Sequence, residues 1–171
     1  VPYSNPENIE WVKWALELKQ PKTLLDIGPG AGKYGKLAKE VLTSVETTGV
    51  EIWAPYVSKF SLQDIYDVVH ISDARIYQPQ FVYDMTILGD VLEHMSRAEA
   101  VALWKKTMRY SRSAIISIPI IHYPQGDFDG NPFEVHVEDH WTHEEVLEYF
   151  PGITGYRTFD TVGVYIAEFE R

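Results

Sequence analysis

The chain has 171 residues, 45% of them hydrophobic and 23% charged, which is the composition of one ordered globular domain spanning residues 1–171. A formal net charge of -10 argues against a nucleic-acid phosphate backbone as partner, because such binding rests on Lys and Arg. It contains no cysteine, which excludes disulfides, zinc–thiolate sites and a thiol nucleophile.

Residues 1–20 carry Pro-Tyr-Ser-Asn-Pro at positions 2–6 and continue as a leading helix, with apolar residues at Ile9, Val12 and Leu16. Trp11 and Trp14 read as core on that helix, and Tyr3 stands ahead of it. Pro21 ends the element. An apolar run (Leu24, Leu25, Ile27) then reads as a buried strand that stops at Gly28, Gly30 and Gly32. The helical pattern Tyr34, Leu37, Ala38, Val41 follows. Residues 46–51 form a second strand ending on Glu51, and residues 54–62 a helix with Pro55 in its first turn. A third strand over 66–71 holds His70 as a packed residue and is followed by Asp73. The fourth, over 83–90, ends on Gly89-Asp90.

Ser96 and Glu99 form a capping box for a helix over 97–110, and Thr142 with Glu145 form another for a helix ending before Pro151. Between them lie a fifth strand at 113–118 and a long loop, 119–141, of Pro, Gly, Asp, Asn and His. Loops of that length are uncommon in compact domains and are often functional. Segments 155–159 and 162–169, joined at Asp160-Thr161, read as an antiparallel pair. The alternation predicts an α/β fold: a doubly wound, seven-stranded, mostly parallel sheet with an antiparallel C-terminal hairpin and helices on both faces.

A strand, a glycine turn and a helix make a cradle in which backbone N–H groups and a positive helix end meet a ligand. The dinucleotide fingerprint needs a third glycine where Lys33 stands, and a P-loop needs wider glycine spacing. The run Asp26, Gly28, Gly30, Gly32 instead resembles motif I of the class I S-adenosylmethionine-dependent methyltransferases. The resemblance covers most of the chain in the family's motif order. It implies S-adenosylmethionine as cofactor, with S-adenosylhomocysteine as product, and a leading helix that closes over the cofactor, which would make Tyr3 a lid residue. Carried over, Asp26, Gly28, Pro29, Gly30, Gly32 and Tyr34 belong to the loop around the methionine portion. Glu51 would accept from both ribose hydroxyls, Ile52 and Trp53 would cover the adenine, and Asp73 and Ala74 would face its edge. Gly89 and Asp90 would lie near the methionine amine and the methyl.

Four acids thus end successive strands, an arrangement that calls for a ligand with hydroxyls, an amine and a positive sulfonium. Methyl transfer to a hydroxyl or amine needs positioning and a base, for which His94, His136 and His140 are the candidates beside Asp90. The expected acceptor is a hydroxyl or amine of a small molecule or glycan-like metabolite, with the 119–141 loop as the acceptor-side wall. Two groups of similar enzymes use an acid-x-x-acid-His run to hold a divalent metal. Asp90, Glu93 and His94, with a histidine from His136 to His140, would supply such ligands. The metal-free reading is favoured, because those groups carry Glu where Asp90 stands. A cofactor-binding module that needs a partner subunit is the remaining alternative. With no leader, no Lys/Arg block and no apolar run near about 18 residues, the expectation is a cytoplasmic protein without membrane or nucleic-acid partners, of open oligomeric state.

Overall fold

The computed structural model describes residues 6–170. A single turn of 3-10 helix, Pro6–Asn8, leads into α1 (Ile9–Lys19), whose end is marked by Gln20 in the left-handed region at φ 47°. The order continues β1 (Thr23–Ile27), α2 (Lys33–Val41), β2 (Glu46–Glu51), α3 (Ala54–Lys59), α4 (Leu62–Ile65), β3 (Val68–Ile71) and β4 (Tyr83–Gly89). After α5 (Arg97–Tyr110) come β5 (Ser111–Pro119), α6 (His143–Tyr149), β6 (Ile153–Thr158) and β7 (Val162–Glu168).

Among the described residues, seven strands make one sheet in the order β3-β2-β1-β4-β5-β7-β6. The first five pair in parallel, and β7 is antiparallel to both β5 and β6. The order reverses at β1, so a crevice opens past the carboxyl ends of β1, β2 and β4, where open α/β sheets bind ligands.

The two-residue repeat of the strands sorts their side chains onto two faces. Leu24, Met85, Ile87, Ile115, Val164 and Ile166 pack with Val12 and Leu16 of α1 and Leu37 of α2. Leu25, Leu88, Ile116 and Tyr165 pack on the other face with Leu103 and Trp104 of α5 and Val146 of α6. Both capping boxes form: Ser96 accepts from the Glu99 N–H, and Thr142 from the Glu145 N–H.

Four expectations are corrected. The helix expected over 54–62 is broken, because Phe60 leaves helical geometry and Ser61 turns left-handed at φ 49°. The third strand starts at Val68, since Tyr66 turns inward instead and becomes a buried partner of Asp26. His70 is exposed, because β3 is an edge strand with little packed upon it. Trp14 is 44% exposed, and its ring stacks on Trp11 at 4.4 Å rather than entering the core. Tyr3 lies outside the described residues. No helix among the described residues is long and apolar enough to cross a membrane.

Candidate active site

The floor of the crevice is bare backbone. Gly28, Gly30 and Gly32 all have positive φ (65°, 50° and 77°), which L side chains rarely adopt. A Cβ at Gly28 would also come within 2.8 Å of the Val91 side chain. The turn is held by the Gly28 N–H donating to Val50 O at 2.9 Å and the Gly32 N–H to Pro29 O at 2.7 Å. The helix that opens there is α2, with Gly32 at its N-cap.

Gly28, Pro29 and Gly30 line a cavity together with Glu51, Ile52, Asp73 and Ala74, and at its other end with Gly89, Asp90 and His94. Glu51 is 4% exposed and accepts from the Trp53 N–H at 2.8 Å and the Gly30 N–H at 3.3 Å. Burial nonetheless pushes its carboxyl up to about 7, helped by the charge of Glu134. Asp73 is held low by Arg75, whose side chain and backbone N–H both donate to it. Asp90 sits in the left-handed region at φ 56°, a strained conformation for a non-glycine residue and one that clusters at functional sites.

Other expected residues support the floor from beneath. Asp26 is fully buried, accepts from the Tyr66 hydroxyl at 2.5 Å, and is pushed up to about 7 by burial. Tyr34 is buried with its ring under Gly89, where an added Cβ would fall 2.0 Å from the ring. Trp53 turns toward the long loop, with its ring 6.0 Å from that of Phe133.

The methyl-side residues meet only in part. His94 and His136 lie together, ring centroids 4.9 Å apart. Glu93, His94 and His136 offer ligand atoms all within 4.8 Å of one another. The loop is stitched there by the N–H groups of Val137 and Glu138, which both donate to Glu93 O. Both carboxylate oxygens of Glu93 are buried without a hydrogen-bond partner among the described residues, and burial raises its pKa well above the ordinary range. His94 Nδ1 donates to Val135 O at 3.1 Å and His136 Nδ1 to Tyr123 O at 2.6 Å, because a carbonyl can only accept. Each ring therefore keeps its Nε2 lone pair. Burial lowers both pKa values, that of His94 to about 4. His140 stands apart: it is exposed and pairs with His122, ring centroids 5.8 Å apart.

Phe133 of the long loop lines the cavity, and so do Tyr56, Asn131 and Glu134, which sequence reasoning missed. Their only signal was membership of a helix and of a long polar loop.

No family model matches the chain, and no curated protein does. Solved structures do. A protein inferred to be an O-methyltransferase from Nostoc punctiforme superposes over 94% of this chain with a TM-score of 0.71 at 17% identity. The chain spans 55% of that protein's length. The N-terminal domain of EvdMO1, with S-adenosylhomocysteine bound, gives 0.71 over 98% of this chain and 83% of its own, at 14% identity. The fold is that of the class I S-adenosylmethionine-dependent methyltransferases. Magnesium protoporphyrin IX methyltransferase from Synechocystis, with S-adenosylmethionine bound, shares this methyltransferase fold at a TM-score of 0.69 and 17% identity, over 96% of this chain and 79% of its own.

Proposed function

We propose that this chain is an S-adenosylmethionine-dependent methyltransferase that methylates a hydroxyl or amine of a small molecule or glycan-like metabolite. The observation that carries the reading is the cavity itself. Gly28 and Gly30 leave its floor open, and Glu51, Asp73 and Asp90 end three strands along one rim. A negative rim suits a ligand with a sulfonium and an ammonium. Glu51, with two oxygens, suits a vicinal diol. That EvdMO1's N-terminal domain was also crystallised in the presence of D-fucose supports, by fold analogy, a glycan-like acceptor.

Bound S-adenosylmethionine would supply an electrophilic methyl group: the acceptor's lone pair forms the new bond to carbon while the C–S pair returns to sulfur. The chain's own residues do the rest. The glycine turn and Glu51 bind and orient. His94 and His136, neutral and with free Nε2 atoms, would take the acceptor's proton, a reading supported by the backbone carbonyls that hold their Nδ1 atoms.

A second reading is favoured by Glu93. Two buried oxygens without partners, beside two neutral imidazoles oriented by backbone carbonyls, are a donor set that fits a divalent cation. Such an ion would orient and acidify an acceptor hydroxyl. Asp90 is outside this donor set.

Calorimetric titration with S-adenosylhomocysteine tests the main reading, followed by labelled S-adenosylmethionine with an acceptor library. Saturable binding and label transfer by the isolated chain are expected. Binding without transfer to any acceptor would leave a module that needs a partner subunit.

A further inference from the structure

The long loop after β5 does not stay on the acceptor side. Two strands, β1 and β4, separate β5 from β2, a span of roughly 14 Å at ordinary strand spacing. The loop crosses it and docks on the α3 side of the sheet. Asp129 forms an ion pair with Lys59 at the end of α3. The Phe133 ring meets Trp53, the residue before α3. Asn131 and Glu134 lie against the buried hydroxyl of Tyr56.

The docked turn is well determined. Asp129 and Gly130 take positive φ, and the Asn131 side chain accepts from the Phe133 N–H at 3.0 Å. Gln125 fixes its far end, donating to Glu134 O at 2.6 Å. Asn131 and Glu134 are buried, whereas Phe133 keeps 41% of its surface while lining the cavity. An aromatic residue that lines the cavity and stays 41% exposed, on a turn anchored by the buried Asn131 and Glu134, has surface free for a ligand. The cavity residues on that side include Glu51, Ile52 and Tyr56.

Resting on the proposed function, we infer that the turn Asn131–Glu134 is the outer wall of the cofactor's own ribosyl and adenine subsite, with Phe133 as a direct cofactor contact. The loop is then divided between two tasks. Its 131–134 turn closes over the nucleoside, and its His136 returns to the methyl end beside His94. The acceptor is left the opening next to those two histidines, which suits a small molecule better than a polymer.

The test compares Phe133→Ala with Asp127→Ala, an exposed site on the same loop. Phe133→Ala should raise the S-adenosylhomocysteine Kd about three- to ten-fold, the worth of one aromatic contact, and leave the acceptor KM unchanged. Asp127→Ala should change neither. Hydrogen exchange should slow over 128–134 when S-adenosylhomocysteine is added. Phe133 is partly exposed, so its truncation should not cost the fold; Phe133→Leu, which keeps apolar bulk, should recover part of the affinity. An unchanged Kd with a raised acceptor KM would overturn the inference and return the whole loop to the acceptor. It would leave the methyltransferase reading standing. A wild-type chain that does not bind S-adenosylhomocysteine would instead overturn that reading, and this inference with it.

Discussion

The Ser117 hydroxyl donates to Asp90 Oδ1 at 2.9 Å, from the neighbouring strand end. The same hydroxyl accepts from Asn8 Nδ2 at 2.6 Å, and Asn8 in turn donates to the Tyr34 hydroxyl and accepts from Lys33 Nζ. Asn8 is fully buried, so its amide is a bolt between the entry to α1, the first turn of α2 and β5. The backbone closes the pair from the other side, with the Asp90 N–H donating to Ser117 O at 2.7 Å. A strained Asp90 is therefore held at both its backbone and its carboxylate.

Ser117→Ala removes a donor from Asp90 and an acceptor from Asn8, both in a dry setting. The expected loss is about 1–3 kcal/mol of stability, visible as a fall in Tm of ~2–4 °C per kcal/mol. S-Adenosylhomocysteine affinity should fall as well, because Asp90 loses its aim. Thermal melts with and without ligand measure both, and an unchanged ligand-induced shift would detach Asp90 from the cofactor.

Glu51 makes binding pH-dependent. Its free-state pKa is pushed up to about 7 by burial. In the proposed site the ribose hydroxyls would donate to the charged form, so binding would lower that pKa and release a proton. Affinity should therefore rise with pH up to about 7 and level off above it, with a slope of at most ten-fold per pH unit below. Asp26 titrates in the same range from beneath the floor, so the assignment needs a variant. Glu51→Gln should bind about 1–3 kcal/mol more weakly and flatten the profile. Calorimetry in two buffers of different ionisation heat counts the proton directly.

Glu51 and Asn8 differ in how visible they were in the bare sequence. Glu51 is legible as an acid that closes a strand pattern, and the ribose role proposed for it comes from the family resemblance rather than from spacing. Both capping boxes were legible for the same reason: their chemistry is complete within four residues. Asn8 was not, since its partners are 25 to 109 residues away and nothing local marks an asparagine before a helix as a core bolt. The approach of Phe133 to Trp53 was not legible either, because a loop's composition does not say which strand it crosses to. His70 was misjudged because its strand lies at the sheet edge, a matter of strand order, which alternation alone does not supply. His140 and His136 are equivalent by spacing; the bonds of Val137 and Glu138 to Glu93 O, and of His136 to Tyr123 and Gln125, bring one of them to His94.

Gly89 should tolerate no side chain. Its Cβ would fall 2.0 Å from the Tyr34 ring, which is pinned by its hydroxyl to Asn8 and packed in the core. Gly89→Ala must push that ring and loosen the bolt described above, at a cost of about 1–3 kcal/mol or more. Gly126, with open space around it, is the matched control. Chemical denaturation should show a lower midpoint for Gly89→Ala and none for Gly126→Ala; equal midpoints would mean that Tyr34 is mobile and not a fixed part of the floor.

The cation question is decided at Glu93. Without an ion, its two buried oxygens have no hydrogen-bond partner among the described residues, and the cheapest state is the neutral acid. Glu93→Gln is nearly isosteric with that acid. In a metal-free enzyme it should therefore leave stability within about 1 kcal/mol and turnover largely intact, since His94 and His136 keep their Nε2 lone pairs. In a metal-assisted enzyme the same change removes the only carboxylate of the Glu93, His94, His136 set. Metal affinity or activity would then fall at least 10- to 100-fold, the usual cost of disturbing even outer partners of a metal site. Dialysis against chelator, followed by melts with added Mg2+, Mn2+ or Zn2+, gives a readout independent of turnover. We expect the metal-free outcome: no cation-induced rise in Tm for the wild type, and none for Glu93→Gln. A rise seen in the wild type and abolished by the substitution would move the second reading ahead of the first.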